Sequence, residues 1–226
     1  MRGWGNPPPL SFVRGSIEGT MEIEVTGVLL AGGKSRRMGQ DKRYVLVGDQ
    51  TLLERGLAVL RSIFEDVLVV IAQDSPPLDV DAHVVRDLVP DCGSLGGLYT
   101  GLMQATTPYI FVVACDMPFL TPAVIAEFTS GRTGVDIVMA KFASRVHPMH
   151  AVYGKRCLPV VERMIQARQL KIQEMGLDRS LHVRYVTEDD LHVLDPSERS
   201  FQNVNTLADL EVARALLAQM PPSTPI

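Results

Sequence analysis

Between Gly32 and Lys42 the chain gathers three glycines, one hydroxyl and four cations: Gly32, Gly33, Gly39, Ser35, Lys34, Arg36, Arg37 and Lys42. That mixture suits a polyphosphate. Glycine lets backbone N–H groups approach phosphate oxygens with no Cβ in the way, while Arg and Lys neutralise the charge. The plain alternative is a strand-to-helix turn with a solvated basic tip. A glycine pair alone would favour that alternative, but this density of cations behind the apolar run Val25 to Leu30 favours phosphate. The spacing excludes two common phosphate loops. A Walker A loop needs Lys after its last glycine, whereas Gly39 precedes Gln40-Asp41, and G-x-G-x-x-G fails because Gly32 and Gly33 are adjacent.

Other residues could serve the same chemistry. Asp116, in Ala114-Cys115-Asp116-Met117-Pro118-Phe119, comes after a buried run and before a turn. A strand-end carboxylate is a fixed anchor for Mg²⁺, which takes one or two carboxylates and keeps waters and substrate phosphates. It could equally start the turn, and spacing alone does not choose. Asn203 and Asn205, ahead of the last helical stretch, have turn and cap roles as their plain reading. Asp87, at the end of Val84-Val85-Arg86-Asp87, is an exposed turn carboxylate on the same footing. A lone His147 is more often structural than catalytic.

The elements that must hold these residues alternate. Strand runs fall at residues 66–72, 83–87, 109–115, 135–140, 149–153 and 182–186. Tyr109 to Cys115 is the most apolar and should be central. Helical spacing covers Thr51 to Phe64, Leu95 to Ala105, a segment capped by Thr121 with Pro122 at its first position, most of Lys155 to Met175 with Lys155 on the surface, and Thr206 to Leu217. The last begins with Thr206 and Asp209 close to a capping box. This order predicts an α/β fold with a mostly parallel sheet covered on both faces, whose ligands bind beyond the carboxyl ends of the strands. The glycine-rich loop and Asp116 then share one crevice.

The 226 residues fit one large domain, over 21–219, with 46% hydrophobic and 21% charged residues. Residues 1–20, with Pro7-Pro8-Pro9 and no periodicity, are expected to be a disordered extension, and 220–226 a disordered tail. Met21 directly precedes the start of the pattern and is a candidate biological start beside Met1. A net charge of −4 gives no general attraction to nucleic acid or anionic membrane. Cys92, Cys115 and Cys157 are too few and scattered for a disulfide framework or a zinc site, pointing to a reduced cytoplasm. No apolar run approaches the about 20 residues of a membrane span.

The stretch Leu29 to Lys42 resembles the L-A-G-G-x-S-x-R-M-G-x-D-K signature of the MobA-like nucleotidyltransferases at each of its fixed positions, and further motifs extend the resemblance from about Thr26 to Leu216. Within that group the chain is most similar to the molybdenum cofactor guanylyltransferases. The resemblance implies a three-layer Rossmann-like nucleotidyltransferase fold. It also implies transfer of GMP from GTP to the terminal phosphate of molybdopterin, with Mg²⁺ as cofactor and pyrophosphate as leaving group. Molybdoenzymes or their chaperones become candidate recipients.

By the same resemblance, Leu30, Ala31, Gly32, Gly33, Lys42, Asp87, Gly93 and Asp116 bind nucleotide. Arg37, Lys42 and Asp116 serve the chemistry, Asp116 and Asn205 hold the metal, and Asn203 and His147 face the acceptor. No general base is implied, because a phosphomonoester is already ionised near neutral pH. The chain departs from the family at two places. In Gly93-Ser94-Leu95-Gly96-Gly97, Ser94 stands for the usual Pro and Gly96 for the usual Ala, giving the backbone more freedom where the base is bordered. Ile71 falls where some guanylyltransferases carry Asn, with Gln73 a possible substitute. Rivals are a cytidylyltransferase of the same fold acting on molybdopterin or a sugar or polyol phosphate, and a non-catalytic nucleotide-binding module. Retention of Lys42, Asp116 and Asn205 argues against the latter.

Overall fold

Leu29 is buried in one hydrophobic core, and its neighbours Val28 and Leu30 in another. Successive strand side chains point to opposite faces, so a strand covered on both sides is apolar without alternation. The same division recurs at Val69 and Ile71 against Leu68 and Val70, and at Phe111 and Val113 against Ile110 and Val112. The structure, a computed structural model, describes residues 25–32 and 41–219. The expected leader and tail and most of the glycine-rich loop, Gly33 and Arg37 included, lie outside the described residues.

In chain order the elements are β1 (Val25–Leu30), β2 (Leu46–Val47), β3 (Gln50–Thr51), α1 (Leu52–Arg61), β4 (Val67–Ile71), β5 (His83–Arg86), α2 (Gly93–Gln104) and β6 (Tyr109–Ala114). The second half adds α3 (Pro122–Ser130), β7 (Ile137–Phe142), β8 (Arg145–Gly154), α4 (Leu158–Gln166), β9 (Val183–Val186), α5 (Glu188–Leu191) and α6 (Leu207–Ala218). Seven strands form one sheet in the order β5-β4-β1-β6-β8-β7-β9, with β6 in the middle as its apolarity predicts. Pairs β5–β4, β4–β1, β1–β6 and β7–β9 are parallel; β8 runs antiparallel to both neighbours.

Helices cover both faces, giving three layers. Leu53, Leu57 and Leu60 of α1 and Val124, Ile125 and Phe128 of α3 close one core. Leu95, Leu98 and Leu102 of α2 and Val160, Val161 and Met164 of α4 close the other. A third cluster joins Val45, Val47, Phe119, Val204 and Leu210, seating α6 beside the β2–β3 ribbon. Thr51 and Thr206 each form a complete capping box, with Glu54 and Asp209. Thr121 occupies the N-cap of α3 but makes no side-chain cap bond; its hydroxyl accepts from Ser200 Oγ at 3.0 Å.

Three expectations change. β8 begins at Arg145 rather than Met149, because the register between β7 and β8 shifts at Met139/Ala140 and leaves Pro148 in the irregular part, where a missing N–H does least harm. The long helix over 155–175 is broken: α4 ends at Gln166, Arg168 takes a left-handed φ of 56°, and a 3-10 turn covers Ile172–Leu177. Lys155 is no idle surface residue, since its Nζ donates to Ala105 O at the C-terminus of α2 at 2.7 Å. The three cysteines are buried and free. Among the described residues no helix is long and apolar enough to cross a membrane.

Candidate active site

Four parallel strands, β5, β4, β1 and β6, end side by side, and the segments leaving those ends form the wall of a crevice of about 800 Å³. Gly32 comes after β1, Ala72, Gln73 and Asp74 after β4, Asp87 after β5, and Cys115 and Asp116 after β6. Its size suits a nucleotide.

At the β6 side the backbone fixes Asp116 before its side chain does anything. Cys115 N donates to Leu30 O at 3.0 Å, and Val204 N to Asp116 O at 2.8 Å, which stitches the segment before α6 onto the end of β6. Asn203 Nδ2 donates to Asp116 Oδ1 at 2.9 Å. Lys42 Nζ lies 3.2 Å from Asp116 Oδ2 and donates to Asn205 Oδ1 at 2.7 Å. Residues separated by 74 and 163 positions thus converge on one ammonium group. A carboxylate oxygen and an amide carbonyl oxygen face the same positive charge. Among the described residues no group of three or more His, Cys, Asp or Glu could hold a metal ion.

Lys42 opens a 3-10 turn capped by Asp41, whose Oδ1 accepts from Arg43 N at 3.0 Å. The Arg43 guanidinium also grips the Asp41 carboxylate through Nε, at 2.9 Å to each oxygen, and holds it below the usual carboxylate range. The turn carrying Lys42 is therefore fixed by a charge pair directly beside it. In the sequence Arg43 is one more cation of a basic stretch, and nothing there marks Asp41 as its partner.

The β5 side is built differently. Asp87 N donates to Ile71 O at 2.8 Å. Asp87 Oδ1 accepts from Val89 N at 3.0 Å and from the Thr100 hydroxyl at 3.1 Å. Burial raises the Asp87 carboxyl, and these two hydrogen bonds oppose the rise. Sequence reasoning missed Thr100, since a helix threonine carries no motif signal. Gly93, with φ of 56°, and Ser94 line the crevice.

Gly96 has a role other than backbone freedom. It is buried within α2, and a Cβ there would lie 2.7 Å from Val89 O and 2.9 Å from Asp87 Oδ2. Its lack of a side chain lets α2 close onto Asp87. Ile71 is buried, as its type requires, yet it borders the crevice, and Gln73 two residues on lines it as well.

Leu30, Ala31, Gly32, Lys42, Asp87, Gly93 and Asp116 all line this crevice, and Asn203 and Asn205 reach its Asp116 end through hydrogen bonds. His147 does not line it. Its ring packs on Phe142 and Phe201, with centroids 4.9 and 5.2 Å away, while Met149 of the same strand reaches the wall. Burial, with Arg145 nearby, pushes the His147 pKa down to about 4, so the ring is neutral at pH 7.

The model of the MobA-like NTP transferase domain matches residues 27–181. A protein from Desulfosudis oleivorans described as a molybdenum cofactor guanylyltransferase is 36% identical over 195 residues, covering 85% of this chain and 96% of that one. A probable molybdenum cofactor guanylyltransferase from Pelotomaculum thermopropionicum is 34% identical over 194 residues, covering 86% and 94%. Among solved structures, molybdopterin-guanine dinucleotide biosynthesis protein A from Archaeoglobus fulgidus superimposes with a TM-score of 0.76 at 26% identity, covering 87% of this chain and all of that one.

Proposed function

The chain belongs to the MobA-like NTP transferase family, and from that premise we propose that it transfers GMP from GTP to the terminal phosphate of molybdopterin, releasing pyrophosphate and forming the guanine dinucleotide cofactor. The observation that carries this reading is the convergence of Lys42, Asp116 and Asn205 at the carboxyl edge of the sheet.

The acceptor phosphate oxygen attacks the α-phosphorus in line and the bond to pyrophosphate breaks. No protein base is needed, because the phosphomonoester is already an anion near neutral pH. The work left to the protein is to position two anions against each other and offset their charge. Lys42 moves its ammonium from Asp116 onto phosphate oxygens, and the backbone at Gly32 supplies close approach. Asp116 and Asn205 offer hard oxygen donors, which fit Mg²⁺. When bound, a divalent cation supplies neutralisation of the developing phosphate charge. Asn203 holds the Asp116 carboxylate in place on the acceptor side, and Met149 adds a neutral surface to the wall, with the neutral His147 ring packed outside it on Phe142 and Phe201. Gly33 and Arg37 are assigned to the phosphates by the family signature. Molybdoenzymes or their chaperones are the proposed recipients of the product.

Pyrophosphate release by the purified protein with molybdopterin, Mg²⁺ and each of GTP, CTP, ATP and UTP tests the reading. Release that is fastest with GTP is expected. Equal or faster release with CTP overturns the guanylyl assignment, and no release with any nucleotide overturns the catalytic one.

A further inference from the structure

The crevice has an order set by the sheet. Moving along its edge from β6 to β5, one passes Asp116, then Gly32 after β1, then Ala72–Asp74 after β4, then Asp87 after β5. The Asp116 and Asn205 oxygens that face Lys42, proposed above to take the cation, lie at the first end. A nucleotide whose phosphates sit there must extend its nucleoside toward the second, where Gln73, Asp74 and Asp87 offer hydrogen-bonding groups. The wall formed by Ala72–Asp74 leaves the second strand from the sheet's margin and has no helix of its own immediately after it. Something must fix its path if it is to read a base.

Arg86 is placed to do so. It is the last residue of β5 and sits in register with Ile71, the last residue of β4. Its Nη1 donates to Gln73 O at 2.7 Å and to Ser75 O at 2.8 Å, with Ala72 O at 3.4 Å. Three carbonyls from four consecutive residues point at one guanidinium nitrogen. Carbonyl dipoles aimed at a common point repel each other, and a cation between them reverses the sign. On its other side the wall is closed by Gly32, where a Cβ would lie 3.2 Å from Ala72 N. The wall is thus held between the glycine loop and Arg86, and the next residue along the chain, Asp87, faces the crevice. No sequence signal marks this arrangement: Arg86 is an exposed strand-end cation, and its partners are backbone atoms.

We propose that Arg86 is a positioning residue for nucleotide selectivity, fixing the wall at Ala72–Ser75 so that Gln73 and Asp74 meet the base or ribose in one arrangement. This rests on the reading of the crevice as the nucleotide site. Arg86 touches neither the reacting phosphates nor the cation-binding oxygens, so its loss should act on binding and discrimination rather than on the chemical step.

The test compares the full-length protein with Arg86→Met, Arg86→Gln and Arg86→Lys, measuring kcat, KM and equilibrium binding for GTP and CTP, together with melting temperature. For Arg86→Met we expect KM for GTP to rise about tenfold, kcat to stay within about threefold, and the ratio of GTP to CTP affinity to narrow. Arg86→Lys should restore part of the discrimination, because an ammonium can also serve converging carbonyls, and Arg86→Gln should lie between Met and Lys. An unchanged KM and affinity ratio in all three variants overturns the proposal. So does a fall in kcat that tracks a fall in melting temperature, which marks a merely structural residue. If the wild type itself prefers CTP, the guanylyl reading fails, yet the change in nucleotide ratio on losing Arg86 still reports on the proposal.

Discussion

The two ends of the crevice are made in different ways. At the β6 end, side chains from three distant segments meet: Lys42, Asp116, and Asn203 with Asn205. At the β5 end, a carboxylate is held by a backbone N–H and a threonine, a helix approaches through a missing Cβ, and a loop is fixed through its carbonyls. The first arrangement depends on residue identity, because charge and donor type do the chemistry. The second depends on the path of the backbone, which many sequences can produce. We propose that the difference separates transfer from selection, with the β6 end serving the reaction and the β5 end choosing the nucleotide.

The largest expected effect is at the first end. Asp116→Ala should lower turnover about a thousandfold or more, about 4 kcal/mol of transition-state stabilisation, while circular dichroism stays that of the wild type, because the carboxylate faces the crevice and leaves no hole in either core. Lys42→Ala should be nearly as severe. Mg²⁺-dependent pyrophosphate release checks both, and folded variants with near-normal turnover would break the assignment of this end.

A smaller effect is expected at the other end. Gly96→Ala forces a Cβ against Val89 O and the Asp87 carboxylate, costing about 1–3 kcal/mol of stability as the helix shifts. It should weaken nucleotide binding more than turnover. Thermal melts and nucleotide titrations together read both changes; an unaltered melt would mean that α2 is free to move.

The prediction that touches activity at neutral pH least lies behind both ends. His150 is fully buried among Phe111, Phe128 and Phe201, and burial brings its pKa down from 6.5 to about 3. A folded-state value below the unfolded one means that stability is intact above pH 6.5 and is lost as pH falls toward the folded value. The slope due to His150 is about 1.4 kcal/mol per pH unit within that window. His147, shifted the same way to about 4, adds to the loss over the upper part of it. His150→Leu should flatten the dependence of melting temperature on pH between 6.5 and 4, and an unchanged slope would show that the ring is not held neutral.

The sheet is legible in the sequence where physics is local. Tyr109–Ala114 is apolar on both sides because it lies in the middle of seven strands, and Thr206 with Asp209 announces α6. The direction of β8 is not legible, since an apolar run has none, nor are the two-residue strands β2 and β3, which are too short for a period. α5, with four residues, is below helical periodicity as well. The residues of the β6 end are legible because their types carry chemistry; the alternating order already brings the glycine-rich loop and Asp116 into one crevice, while the place of Asn203 and Asn205 beside them is visible only by resemblance. Gly96 reads as a source of freedom and is a point of close approach. Arg86 is invisible because backbone carbonyls leave no trace in a sequence.

The division between the two ends is tested most directly by single-turnover transfer from GTP and from CTP in Asn203→Ala and Gln73→Ala, measured side by side with the wild type. Asn203→Ala loosens Asp116 and should slow transfer from both nucleotides by the same factor, leaving their ratio unchanged. Gln73→Ala should alter the ratio while the rate at saturating GTP stays within about threefold of the wild type. If Asn203→Ala changes the ratio, or Gln73→Ala slows both nucleotides alike, then reaction and selection are not separated along the sheet.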